Sequence, residues 1–104
     1  MEPSVARSLT VCRSDLTAAA KRLRHLTTDT RLRTIELVLR AEHGYLMLEI
    51  PGAAEGVPAT GQWSGRVRAP GIVVTVFAKG EPPGDPLQLA YEDGYLHVHA
   101  GAHI

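Results

Sequence analysis

The 104-residue chain has a single cysteine, Cys12. That excludes an internal disulfide and any metal site built from thiolates alone, and it suits a reducing compartment. Aromatic residues make up only 5% of the chain, with one tryptophan and one phenylalanine, so a core has to be assembled from aliphatic side chains. No apolar run approaches the roughly 20 residues of a membrane helix, and residues 1–10, MEPSVARSLT, lack the apolar centre of a secretory signal. A soluble, cytoplasmic protein that does not enter membranes is expected. An excess of one charge is also missing, because 11 basic residues balance 11 acidic ones. The molecule as a whole is therefore not a polyanion-seeking surface. With 44% hydrophobic and 21% charged residues, the composition is that of an ordinary folded chain, and the length suits one domain over residues 1–104.

What is present is uneven. Residues 1–40 carry eight basic residues against four acidic, so this stretch is +4 and the remainder −4. Such a split allows a basic face toward phosphates and an acidic face elsewhere. The stretch 34–50, TIELVLRAEHGYLMLEI, also returns fifty residues later as 86–100, PLQLAYEDGYLHVHA. The shift lays Leu37 on Leu87, Leu39 on Leu89, Glu42 on Glu92, Gly44 on Gly94, Tyr45 on Tyr95 and Leu46 on Leu96, which reads as an internal duplication. In each copy, alternating apolar residues run into a polar three-residue turn ending in glycine and then alternate again. Each copy is therefore a predicted β-hairpin with Leu37, Leu39, Leu46 and Leu48, or Leu87, Leu89, Leu96 and Val98, on its buried face.

Around these hairpins the period changes. Residues 8–12 have the β-branched alternation of a short strand. Ser14 is then the expected N-cap of a helix whose stripe is Leu16, Ala19, Ala20, Leu23 and Leu26. The other side of that helix carries Lys21, Arg22, Arg24 and His25, and residues 27–30 end it without a glycine cap. Residues 51–65, rich in glycine, proline and alanine, suggest a loop or an irregular edge strand through residues 57–60, with Trp63 as a core or edge anchor. After a short strand at 66–69, residues 71–79 stay ambiguous. Four β-branched residues from Val73 to Val76 favour a strand. Ile72, Val73, Val76 and Phe77 share a helical face, and Lys79 and Gly80 form a helix stop.

The resulting order is strand, helix, hairpin, edge, then short strand, second helix and hairpin, a βαβββ unit repeated over about residues 5–62 and 63–101. SLTVCRSDLTAAAKRLRHL, RTIELVLRAEHGYLMLEI and GQWSGRVRAPGIVVTVFAKGEPPGDPLQLAYEDGYLHVHAG, taken in this order, resemble one domain of the bacterial DNA polymerase III sliding clamp, the β subunit. The local marks are Val67-Arg68-Ala69-Pro70 before the second helix and Asp93-Gly94-Tyr95-Leu96-His97-Val98 in the last hairpin. The resemblance implies an α+β fold, a DNA-clamp-like duplicated βαβββ unit with two helices packed on antiparallel sheet. It also implies helices that face duplex DNA in a ring of six such domains, so a lone domain would self-assemble into a homo-oligomer. Carried over, the DNA-facing residues are Lys21, Arg22 and Arg24 on the first helix and Lys79 at the end of the second, neutralising phosphates without reading bases. Double-stranded DNA and DNA-processing proteins are the expected partners. The uncharged residues 71–77 depart from a fully basic ring lining.

Two other functions compete. One is a small protein-interaction or regulatory module that has the fold without DNA binding. The other is a metal-binding protein through His97, His99 and His103, since residues two apart on a strand point the same way; alternating outward residues of an amphipathic strand explain the same pattern. Catalysis has little support. Cys12 reads as a small buried hydrophobe rather than a nucleophile paired with His25, and Gly52, Gly56, Gly61 and Gly65 do not form a phosphate loop. The expectation is a non-catalytic protein without a cofactor.

Overall fold

The two leucine ladders organise the molecule as their alternation requires. A computed structural model of the chain, describing residues 7–80 and 84–100, has the order β1 (Arg7–Val11), α1 (Arg13–His25), α2 (Asp29–Leu32), β2 (Glu36–Glu42), β3 (Tyr45–Ile50), β4 (Ala53–Trp63), β5 (Val67–Pro70), α3 (Val73–Ala78), β6 (Leu87–Glu92) and β7 (Tyr95–Ala100). All seven strands belong to one sheet, β5-β2-β3-β4-β1-β6-β7, with every pairing antiparallel. The class is therefore α+β. The sheet curls until its two outer strands, β5 and β7, wall the same groove.

Both hairpins close through two-residue turns, because Glu42 stands opposite Tyr45 and Glu92 opposite Tyr95. His43-Gly44 and Asp93-Gly94 all have positive φ, at 49°, 84°, 53° and 83°, which is the twist a type I′ turn matches to antiparallel strands. The turns are thus one residue shorter than the sequence suggests. Leu37, Leu39, Leu46 and Leu48 are completely buried, each contributing about 1.5–3 kcal/mol through removal from water. They join Leu16, Leu23, Leu32, Val57, Val74, Leu87 and Leu89 in one aliphatic core between sheet and helices.

The first helix is the one its periodicity predicts, with Leu16, Ala19, Ala20 and Leu23 buried, except that Leu26, the last of the expected stripe, is the C-cap and 66% exposed. Its start differs. Cys12, not Ser14, occupies the N-cap and offers no side-chain hydrogen bond to the helix, while the Ser14 hydroxyl lies 3.1 Å from the Cys12 sulfur. The first-turn amide of Arg13 donates instead to Asp85 Oδ1 at 3.1 Å, from 72 residues away. Nor does the chain go straight from this helix to the first hairpin. Thr28 caps a further turn, α2, by accepting from the Arg31 amide, so the described residues hold three helices rather than two.

The ambiguous residues resolve as helix α3, which packs along α1 and buries Val74, Thr75, Phe77 and Ala78; of the expected face only Phe77 is buried, while Ile72 and Val73 are half-buried and Val76 is exposed. Gly71 lets it enter, donating its amide to Ile35 O at 2.9 Å; a Cβ there would stand 2.4 Å from Leu32 O. The largest departure is β4. Residues 53–63 form neither a loop nor an edge strand but an eleven-residue strand inside the sheet. It pairs with β3 through Pro58 and with β1 from Ala59 onward. Pro58 falls where the partner changes, and the next amide, that of Ala59, donates to Gly44 O at 2.9 Å. Trp63 is buried at its end and donates its indole N–H to Leu39 O at 3.2 Å, which makes it a core anchor. Among the described residues, the second segment supplies β5, α3, β6 and β7, one strand fewer than a complete βαβββ unit.

Candidate nucleic-acid interface

The packing of α1 along α3 leaves a groove of about 500 Å³ whose walls include Arg13, Ser14, Lys21, Lys79, Gly80 and Asp85. Lys21 rises from the middle of α1 and Lys79 from the C-cap of α3. Both are exposed, and neither forms an ion pair with a described residue. Lys79 also sits at the negative end of the α3 backbone.

The other two cations expected at this face have partners. Arg22 turns away from α3 toward the sheet and pairs with Glu55 of β4 through Nε and Oε1 at 2.5 Å. Arg24 stays on the groove side, but its Nε and Nη2 each reach one carboxylate oxygen of Asp29 at 3.2 Å. This grip, followed by the Arg24 charge, a hydrogen bond from Thr75 Oγ1 and the charge of Lys79, holds the Asp29 carboxyl below its ordinary pKa despite the opposing effect of desolvation. Asp29 thereby ties α1, α2 and α3 together. Of the four residues expected to face DNA, the structure brings Lys21, Arg24 and Lys79 to one side and leaves Arg22 on another.

Arg13 was not among those candidates, although it lines the same groove. Its guanidinium donates to Gly80 O from Nε at 3.2 Å and Nη2 at 2.6 Å, fixing the turn that ends α3. A cation poised to cap a helix end 67 residues away leaves no local signal in the sequence. A second depression of about 530 Å³, lined by Lys21, Arg24, His25, Thr27 and Asp29, continues the basic surface along α1. Among the described lining residues of the two, Arg13, Lys21, Arg24 and Lys79 stand with Asp29 and Asp85, more positive charges than negative. Lys21 and Lys79 are point charges on flexible stems, the kind of group that neutralises phosphates without discriminating bases.

Among the described residues the remaining candidates do not converge. Cys12 is exposed rather than buried; it precedes α1 whereas His25 ends it, about 20 Å away along the helix. His97 is exposed on β7, while the side chain of His99 and all of His103 lie outside the described residues. Among those residues no group of three histidine, cysteine, aspartate or glutamate side chains is placed to hold a metal ion. No described helix is long and apolar enough to cross a membrane. Comparison with protein-family models, with curated proteins and with solved structures finds no match for this chain.

Proposed function

We propose that this is a non-catalytic, sliding-clamp-like domain that rests on duplex DNA through the phosphate backbone and serves replication or repair as a processivity or docking factor. The observation that carries the reading is the shared groove of α1 and α3, with Lys21 and Lys79 rising from different helices and forming no ion pair with a described residue. The clamp-like duplication is supported by the ladders: β5 meets β2 with Val67 opposite Leu39, as β1 meets β6 with Leu9 opposite Leu89, the two leucines being fifty residues apart. Two lysines give weak, salt-sensitive contacts, and a lone domain of this size does not surround a duplex. The function therefore requires several copies or a DNA-bound partner. Light scattering at several protein concentrations, with and without duplex DNA, tests this. The expected result is an assembly of several domains, formed or enlarged on DNA; a species indifferent to DNA contradicts it.

A second reading, an interaction module with the same fold and no DNA contact, is favoured by apolar side chains left in water. Tyr95 is 70% exposed and Val76 37%, and both border the groove between β5 and β7.

A further inference from the structure

The fifty-residue correspondence of the hairpins, with β1 and β5 as their equivalent partners, also shows where the sheet lacks a strand among the described residues. In the first segment β4 lies between β3 and β1, with Val57 opposite Leu46, Glu55 opposite Leu48, Ala59 opposite Val11, Thr60 opposite Thr10 and Gly61 opposite Leu9. The equivalents of β3 and β1 are β7 and β5, because Leu46 and Leu48 correspond to Leu96 and Val98, and Leu9 to Val67. Between β7 and β5, however, no described strand is found. A groove of about 330 Å³ lies there instead, lined by residues that include Arg68, Ala69, Val73, Phe77, Leu96 and Val98. Leu46 and Leu48 have no exposed surface under β4, whereas Leu96 and Val98 are only partly buried. The side chains are apolar, and among the described residues nothing covers them and no strand pairs with the outer edges of β7 and β5.

We propose that this seam is a strand-acceptor site for an extended segment of a partner protein, which adds antiparallel to both β7 and β5. Main-chain hydrogen bonds to two edges supply affinity, and alternate side chains supply selection. The template is β4. A guest in its register places aliphatic residues against Val98 and Leu96, a small residue against Ala69, and an outward side chain beside Arg68. Arg68 is 72% exposed and holds Glu36 only in a long, exposed ion pair at 3.9 Å, so that outward position favours an acidic residue. The seam does not depend on DNA contact, since Lys21 and Lys79 lie on the helical groove and not among its lining residues.

The test is a titration of the ¹⁵N-labelled full chain with the blocked peptide Val-Thr-Val-Thr-Ala-Glu-Gly and its Lys-for-Glu counterpart, followed by amide NMR. The Glu peptide should shift amides along both edges and protect those of Arg68, Leu96 and Val98, since the Val67 and Ala69 amides face β2 in the alternation that Gly71 N to Ile35 O sets. The Lys peptide should bind more weakly by roughly two- to fivefold, as exposed pairs across strands do, and Arg68→Glu should invert that preference while leaving the spectrum folded. Absence of seam shifts at millimolar peptide overturns the proposal, as do equal affinities for the two peptides. Seam amides already protected in a monomer would show the chain filling its own slot. Protection that appears with dimer formation would give the slot to a second copy. Either of these also overturns a heterologous partner.

Discussion

Arg24 grips both carboxylate oxygens of Asp29, each at 3.2 Å, and Asp29 in turn accepts from Thr75 Oγ1 at 3.4 Å. One carboxylate therefore joins α1, α2 and α3. Because Arg24 holds this carboxylate below its ordinary value of 3.8, the contact stabilises the fold above the unfolded pKa and is lost as pH falls through the folded one. Asp29→Asn should lower the melting temperature at neutral pH, and the difference from wild type should vanish in acid below 3.8. Thermal melts by circular dichroism across that range check this; a difference independent of pH would assign Asp29 a packing role instead.

Trp63 reports on the closing of β4 over the sheet. Replacing it with phenylalanine leaves Leu39 O without its indole donor and should cost about 1–3 kcal/mol, the usual penalty for a buried group that loses its partner. In the wild type the tryptophan emission follows unfolding directly, so denaturant titration of the wild type by fluorescence and of the variant by circular dichroism gives the difference.

Gly71 and the turn glycines should fail for different reasons. A Cβ at Gly71 meets Leu32 O at 2.4 Å and Ile35 O at 2.7 Å, two backbone atoms with little room to move, so Gly71→Ala should destabilise by about 2–3 kcal/mol. Gly44 and Gly94 have open space around them and only the positive φ to satisfy. Gly44→Val and Gly94→Val should each cost about 1 kcal/mol or more. Equal, small effects at all three sites would contradict the assigned turns and the tight approach at Gly71.

These residues also mark how far the sequence could be read. The stripe of α1 and the leucine alternation of both hairpins were legible because each is local and repeats with the period of its element. The residues of α3 were undecided, since β-branched propensity opposed helical spacing; burial of Val74, Phe77 and Ala78 beside α1 favours the helix. β4 was unreadable for another reason. Its glycines and prolines are poor strand formers, and its conformation is imposed by β3 on one side and β1 on the other. At the candidate interface Lys21 and Lys79 stood out as charges on helix faces. The acids that engage Arg22 and Arg24 could not be assigned, because Glu55 comes from another layer and Asp29 from an unrecognised helix. The Asp85 contact to the start of α1 and the seam beside β7 depend on the three-dimensional arrangement in the same way.

The most direct test of the central claim is the affinity for a fluorescent duplex, measured by anisotropy over a range of salt concentrations. The proteins are the wild type, the Lys21→Glu/Lys79→Glu variant and the Arg22→Glu variant. The account predicts weak wild-type binding that falls steeply with salt and is lost in the double lysine variant. Because each phosphate neutralised contributes about −0.9 to the slope of log affinity against log salt, single Lys21→Ala and Lys79→Ala variants should each flatten that slope by about one. Arg22→Glu, on the side facing Glu55, should bind nearly as wild type once its folding is verified. Wild-type affinity in the double lysine variant, or no binding by any of the proteins at low salt, would contradict the claim that the α1–α3 face holds DNA.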